Sequence, residues 1–411
     1  MASIAAAARK LSFEDARARV MAAAPGLAAR LQTERVALDD ALGRVLAEPL
    51  VAGEALPRFD NSAVDGYAVR AADVARASES SPVRLRVLET VGAGHVPNRP
   101  VGAGQAALVM TGAALPAGAD CVVMRERTVE DAGEVGILAA AQPGENVRPR
   151  GEDAGAGEVI VPRGRTIGPG EIAALATLGH GTVVVSLRPR VAVLSTGDEL
   201  KDPGEALGPG QIYDSNSHTM AAAITASGCL AGEVWRVRDD ARVVADGLSA
   251  LLETHDVVLS LGGVSMGDFD PVKLAIAELP QVEWWRVAMR PGGPQAFGTP
   301  GEGRVFYGLP GNPVSSAVVF DRLARPMLRT AMGAEPADRS RVRAFLAEPV
   351  RSSAGRRDFL RVRLENGRAR LTGSQSSGAV TSLAKADGLG VVPEDATELP
   401  AGAEIEVILW R

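Results

Sequence analysis

The stretch FDNSAVDGYAVR, residues 59–70, gathers Asp60 and Asp65 with Asn61, Ser62, Gly66 and Tyr67 in a segment with neither helical nor strand periodicity. A loop that only reverses the chain needs Asn, Asp or Gly for its backbone shape, so these carboxylates are either turn chemistry or site chemistry. Two other places raise the same question. The apolar run VAVLS (191–195) ends in Thr196, Gly197, Asp198 and Glu199, and VVLSL (257–261) ends in GGVSMGDFD with Asp268 and Asp270. Glycines such as Gly262 and Gly263 let the backbone approach a ligand, and successive N–H groups in such turns form concave anion sites. Either loop alone is as well explained by a plain turn with solvated carboxylates; two at equivalent strand ends favour a site. GEVWRV (232–237) leads into Arg238, Asp239 and Asp240, where an aspartate could simply cap the next helix. RVFYG (304–308) leads into GLPGNPVSSAVVF, with Pro313 suited to a first helical turn whose free N–H groups would face an anion or merely cap a rigid loop.

The four histidines, His95, His180, His218 and His255, are scattered, and no His or Cys falls in metal-ligand spacing, which disfavours zinc. Oxygen-only clusters suit Mg²⁺, which takes carboxylates together with water and substrate phosphates. Carboxylates also repel an anionic substrate: a like-charge pair at about 4 Å costs about 4 kcal/mol at an effective dielectric near 20. Compensating cations are therefore required. RPRGED supplies Arg148 and Arg150 before Asp153, WRVAMRPGGPQAFG supplies Arg286 and Arg290, and GRRDFLR supplies Arg356 and Arg357. The planar guanidinium suits phosphate and other oxyanions.

The elements that must hold these groups change character along the chain. Ser12 before Asp15 reads as a helix cap, and the first ~55 residues read as mostly helical. VRLRVLETV, AALVM, CVVM and VGIL read as strands of an inserted β unit, and PGEIAALATLG as a helix stopped by Gly179. From about residue 188, continuously apolar strands alternate with helices, the pattern of a parallel sheet covered on both faces, whose ligands bind beyond the carboxyl ends of the strands. FLRVRL and ARLTG flank Asn366-Gly367, a hairpin signal within a closing β domain.

With 411 residues, 46% of them hydrophobic, the chain has the size of roughly three ordinary domains. A net charge of −6 with both signs interspersed provides no global field for nucleic acid or an anionic membrane. Cys121 and Cys229 form no C-x-x-C pair and sit in apolar surroundings, and no 18-residue apolar span or leader pattern is present, which together point to the cytoplasm.

FDNSAVDGYAVR, MTGAALPAGAD, RPRGEDAGAG, STGDEL, GQIYDSN, GGVSMGDFD and GLPGNPVS occur here in an order that resembles the molybdopterin molybdenumtransferases, bacterial MoeA and the E domain of gephyrin, over nearly the whole chain. The resemblance implies Mg²⁺-dependent insertion of molybdate into adenylylated molybdopterin with release of AMP, by an elongated homodimer that can meet a molybdopterin adenylyltransferase transiently. It implies an α/β and β multidomain fold: a helical and extended domain (1–56 and 147–187), an inserted β domain (57–146), an adenylyltransferase-like α/β domain (188–336) and a β barrel-like C-terminal domain (337–411). Adenylyl transfer to molybdopterin and a non-catalytic pterin-binding or scaffold role are the alternatives.

Carried over by motif, Asp65, Thr111 and Asp153 resemble the side of the pocket contributed by a partner subunit, and Glu199, Asp239 and Asp270 the carboxylates of the α/β side. Asp65, Glu199, Asp239 and Asp270 become the metal-ligand candidates. Asp60 would mostly shape its loop. Gly262, Gly263, Ser265, Pro310 and Pro313 would frame the pterin and its phosphates, while Arg148, Arg286, Arg290 and Arg356 would meet anionic groups and Ser377 is a further ligand candidate. Where many members read K-P-G-K-P, this chain has Arg290-Pro-Gly-Gly293-Pro, so one lysine is absent and another is arginine, as is the one aligned to Arg286.

Overall fold

The computed structural model describes residues 8–237, 240–264, 271–277 and 279–410. The chain folds as two compact units, one comprising Pro49–Pro162 with Thr177–Gly179, the other Met1–Glu48, Arg163–Ala176 and His180–Arg411.

The smaller unit is built on a six-stranded sheet in the order Cys121–Met124, Gly66–Val69, Gln105–Val109, Val83–Val91, Glu134–Ile137, Thr128–Asp131. Tyr67, Val69, Leu85, Ala106, Cys121, Val123, Val135 and Ile137 form one buried face, and Ala68, Val91, Val109, Ala113 and Val122 the other. The alternation of apolar side chains along short strands thus becomes a two-sided core. Gly66 is required by close approach: a Cβ there would lie 2.1 Å from the Val123 carbonyl oxygen.

In the larger unit a seven-stranded sheet runs Arg9–Leu11, Val282–Val287, Pro294–Gly298, Val305–Leu309, Val257–Leu261, Arg190–Thr196, Leu230–Val237. The last four are mutually parallel, as their continuous apolar runs predict. Pro294–Gly298 is antiparallel to both neighbours, because it returns directly from Val282–Val287 without a crossover helix. One face packs Val193, Leu259 and Tyr307 against Phe13, Leu27, Ile224 and Val318; the other packs Leu194, Val258 and Phe306 against Leu248, Leu251 and Ile276.

Helix Phe13–Met21 starts where expected, with Ser12 Oγ accepting from the Asp15 amide at 3.0 Å. The mostly helical reading of the first ~55 residues fails beyond helix Ala24–Arg30. Residues Thr33–Ala37 instead form a strand paired antiparallel with Thr182–Ser186, a long-range ladder that overrides the helical propensity of this Ala- and Glu-containing stretch. A closed five-stranded barrel of Arg357–Glu365, Arg368–Leu371, Arg341–Leu346, Glu404–Leu409 and Gly388–Val392 ends the chain, with Met289–Arg290 added in parallel to its first strand. Asn366 and Gly367 both take positive φ, 49° and 76°, the two-residue hairpin turn their types predict.

Candidate active site

At the carboxyl ends of the parallel strands a cavity of about 440 Å³ is lined by Ser195, Thr196, Gly197, Glu199, Asp214, Asn216, Leu261, Gly262, Gly263, Gly311 and Pro313, among others. Three strand ends therefore deliver their loops to one place, as the parallel topology requires. Glu199 is exposed there, and its backbone carbonyl accepts from Ile212 at 2.9 Å, which ties it to the Ile212–Tyr213 strand. Asp214, only 3% exposed, caps helix Ser215–Ala226 by accepting from the Ser217 amide at 3.0 Å and hydroxyl at 2.6 Å. Asn216 then donates to the Gly311 carbonyl at 2.6 Å and accepts from Ser316 Oγ at 3.2 Å, joining two of the loops. Gly263 has φ 73°, and a Cβ there would stand 2.2 Å from Val272 Cβ, so the turn accepts no other residue without displacement.

Gly311 also lines a second, larger cavity of about 810 Å³, with Met289, Arg290, Gly292, Gly293, Pro310, Arg356 and the segment Ser374, Gln375, Ser376 and Ser377. Strand register creates its charge: Arg290 pairs with Asp358 in the parallel ladder to the barrel. The Asp358 carboxylate, 1% exposed, receives Arg356 in a fork, Nε at 2.8 Å and Nη2 at 3.3 Å, while Arg290 Nη1 lies 3.7 Å away. One buried carboxylate therefore holds two guanidiniums at the cavity wall. Arg357, the next residue, turns to Glu14 and Glu394 and stacks over Phe13, which makes it structural.

The helix start at Pro313 departs from expectation. Pro313 has no N–H, Val314 N–H already donates to the Ser377 carbonyl at 3.1 Å, and Asn312 makes no side-chain cap. Its use is to fasten Ser377 to the cavity rim.

In the smaller unit the loop of residues 59–70 is folded against two others. Asp65 Oδ1 accepts from the Thr111 amide and from its hydroxyl, both at 2.7 Å. These two bonds hold the exposed carboxyl below the ordinary aspartate value, the backbone bond contributing most. Arg148 pairs with Asn61 in a two-stranded ladder, and the Arg150 amide donates to Asp60 Oδ1 at 2.7 Å. Asp60 thus shapes its loop. Asp153 is exposed, with its amide on the Leu56 carbonyl.

The candidates accordingly fall into groups. Asp65 and Thr111 are bonded to each other in the smaller unit, where Arg148 pairs with Asn61 of the same loop. Glu199, Gly262, Gly263 and Pro313 share one cavity of the larger unit; Arg290, Pro310, Arg356 and Ser377 share the other. Arg286 stands exposed on strand Val282–Val287 and lines neither. Asp239, Ser265 and Asp270 lie outside the described residues. Among the described residues no three His, Cys, Asp or Glu side chains converge as a metal-ligand set. The sequence reading missed Asn216, Asp358, Gln375 and Arg361. Asp358 carried a faint signal, a lone acid inside GRRDFLR; a buried carboxylate between arginines is the usual way such a residue is neutralised.

A helical and extended start, a β unit, an α/β sheet with glycine-lined strand ends and a closed barrel define the multidomain MoeA fold. Three family models match: "MoeA N-terminal region (domain I and II)" over residues 11–179, "Probable molybdopterin binding domain" over 192–330, and "MoeA C-terminal region (domain IV)" over 343–410. Molybdopterin molybdenumtransferase 2 of Mycobacterium tuberculosis is 38% identical over 90% of this chain and 94% of its own length. The molybdopterin molybdenumtransferase of Nostoc sp. is 36% identical over 93% and 90% respectively. The crystal structure of a molybdopterin biosynthesis MoeA protein from Pyrococcus horikoshii matches with a TM-score of 0.80 at 36% identity, covering 98% of this chain and all of that one. The chain belongs to the molybdopterin molybdenumtransferase family.

Proposed function

We infer that this chain is a transferase of molybdenum cofactor biosynthesis that inserts molybdate into adenylylated molybdopterin and releases AMP. The observation that carries the reading is the pair of adjoining cavities, one lined by glycine turns and Glu199, the other by two arginines fixed on Asp358. Glycine turns suit a phosphate-bearing pterin nucleotide, and tethered guanidiniums suit a tetrahedral oxyanion.

The finer proposal is a homodimer in which Asp65, Thr111, Arg148 and Asp153 of one protomer complete the site of the other. The four-domain division belongs to the same proposal, as do Gly262, Gly263, Ser265, Pro310 and Pro313 around the pterin nucleotide and Arg290, Arg356 and Ser377 around anionic groups. Mg²⁺ fits a donor set of this kind, since Glu199 offers an exposed carboxylate and magnesium takes one or two such ligands with substrate phosphates and water. Some of Glu199, Asp239, Asp270 and the partner's Asp65 would hold it, and it would supply charge neutralisation at the phosphates. The protein's own contribution is positioning: Thr111 holds and aims the Asp65 carboxylate, Asn216 joins the loops, and Asp358 aims Arg290 and Arg356. Two buried free cysteines suit action in the cytoplasm. Transient contact with a molybdopterin adenylyltransferase would deliver the adenylylated substrate directly.

Purified protein incubated with adenylylated molybdopterin, Mg²⁺ and molybdate should release AMP and activate a cofactor-free molybdoenzyme. Asp65→Asn and Glu199→Gln should each abolish AMP release with the fold intact by circular dichroism. Wild-type turnover in both variants would remove these carboxylates from the mechanism. In a parallel incubation with molybdopterin and ATP, consumption of ATP with release of pyrophosphate and formation of adenylylated molybdopterin would instead mark an adenylyltransferase, and binding without turnover in either incubation a pterin-binding scaffold.

A further inference from the structure

We propose that Arg361 is a positioning residue for the oxyanion substrate: from behind the wall of the larger cavity it pins the segment Ser374, Gln375, Ser376 and Ser377 and adds a positive charge that the protein leaves for the ligand to balance. The proposal rests on the reading of this cavity as the molybdate side of the site.

Arg361 lies on barrel strand Arg357–Glu365 and is 1% exposed. Its Nη2 donates to the carbonyls of Ser374 at 3.3 Å and Ser376 at 3.0 Å, and its Nε to Ser382 Oγ at 3.1 Å. Its backbone holds the same segment: the amide donates to Gln375 Oε1 at 2.9 Å, and the carbonyl accepts from Gln375 Nε2 at 3.2 Å and from the Thr372 amide at 3.1 Å. All of these contacts but the one from Thr372, which leads into the segment, converge on the segment that lines the cavity or on the short helix Thr381–Ala384 that follows it. None is a carboxylate.

A guanidinium this deeply buried without a counter-charge is costly, and a purely structural position would be better filled by an apolar or ion-paired side chain. Burial and the neighbouring charge of Arg290 push its pKa down, to about 10, so it stays protonated at neutral pH while bearing an unfavourable field. Around the cavity Arg290 and Arg356 share the single carboxylate of Asp358 and Arg361 adds a third guanidinium with no carboxylate partner, three positive charges against one negative, which leaves two. A dianionic tetrahedral oxyanion supplies the missing balance and is attracted to the spot that the pinned carbonyl segment shapes.

Arg361→Met keeps length and bulk but removes charge and donors. With folding verified by circular dichroism, its KM for molybdate should rise about tenfold, the loss of one charge-assisted interaction, while KM for adenylylated molybdopterin moves less than about twofold. A general structural defect would lower kcat or move both KM values together, and that outcome, like an unchanged KM for molybdate, overturns the proposal. Arg361→Lys, which keeps the charge but not the fork, should raise KM for molybdate about threefold and decides the matter if the Met variant does not fold. Calorimetric titration of molybdate alone into wild type and variants separates this inference from the function itself. If wild type releases no AMP, the proposed reaction fails, yet equal molybdate affinity in wild type and Arg361→Met is what would overturn Arg361's role.

Discussion

Asp65 accepts two short hydrogen bonds from one residue, Thr111, and both favour its ionised form. Thr111→Val keeps the backbone donor and removes the hydroxyl, so the Asp65 pKa should climb part of the way toward 3.8, a shift that carboxyl NMR titration would resolve. The sign for stability follows. A carboxyl whose folded pKa lies below its unfolded value contributes stabilisation that is complete above 3.8 and is lost as pH falls through the folded value; in Thr111→Val that stabilisation is smaller and its loss is complete at a higher pH. Unchanged titration would show that the hydroxyl bond does not form in solution. Asp358 is the counterpart in the larger unit. Asp358→Asn frees Arg290 and Arg356, which are partly exposed and can be solvated, so destabilisation of about 1–2 kcal/mol is expected from urea unfolding. Its larger effect should be on KM for molybdate, because both guanidiniums lose their aim.

Loops at strand ends carry the site, and the strands set where those loops emerge. Gly263→Ala would place a methyl 2.2 Å from Val272 Cβ at a φ of 73°, and should cost about 2–3 kcal/mol by strain and overpacking, read as a lower urea midpoint. Asp214→Ala removes the cap of helix Ser215–Ala226 and should cost about 1–2 kcal/mol. It also loosens the helix start that carries Asn216, whose bond to the Gly311 carbonyl joins two of the site loops, so activity should drop more than stability. Unaltered activity in Asp214→Ala would show that the cap serves the helix alone. The strands themselves were legible because VAVLS, VVLSL and the Asn366-Gly367 turn are local signals. The strand Thr33–Ala37 was not, since its partner Thr182–Ser186 lies far away in the sequence and nothing local announces a ladder.

The whole-molecule expectation is a site divided between protomers. Asp65→Asn and Glu199→Gln would each be inactive as pure homodimers. Mixed by co-expression, statistical heterodimers would contain one site with both lesions and one with neither, so about a quarter of wild-type AMP release should return. No recovery from folded, mixed chains would place both carboxylates in a site completed within one chain. Among the described residues no helix is long and apolar enough to cross a membrane.

By itself the sequence determined the elements and the inventory of chemistry: apolar runs of strand length, glycine turns at their ends, carboxylates and arginines in fixed order. These are properties of neighbours along a chain. Only the tertiary structure decided that Arg290 and Arg356 share Asp358, that the Val314 amide is spent on Ser377, that Arg286 stands apart from both cavities, and that Arg361 is buried without a carboxylate. Each depends on strand register and burial, which arise from contacts between distant segments and leave no local trace.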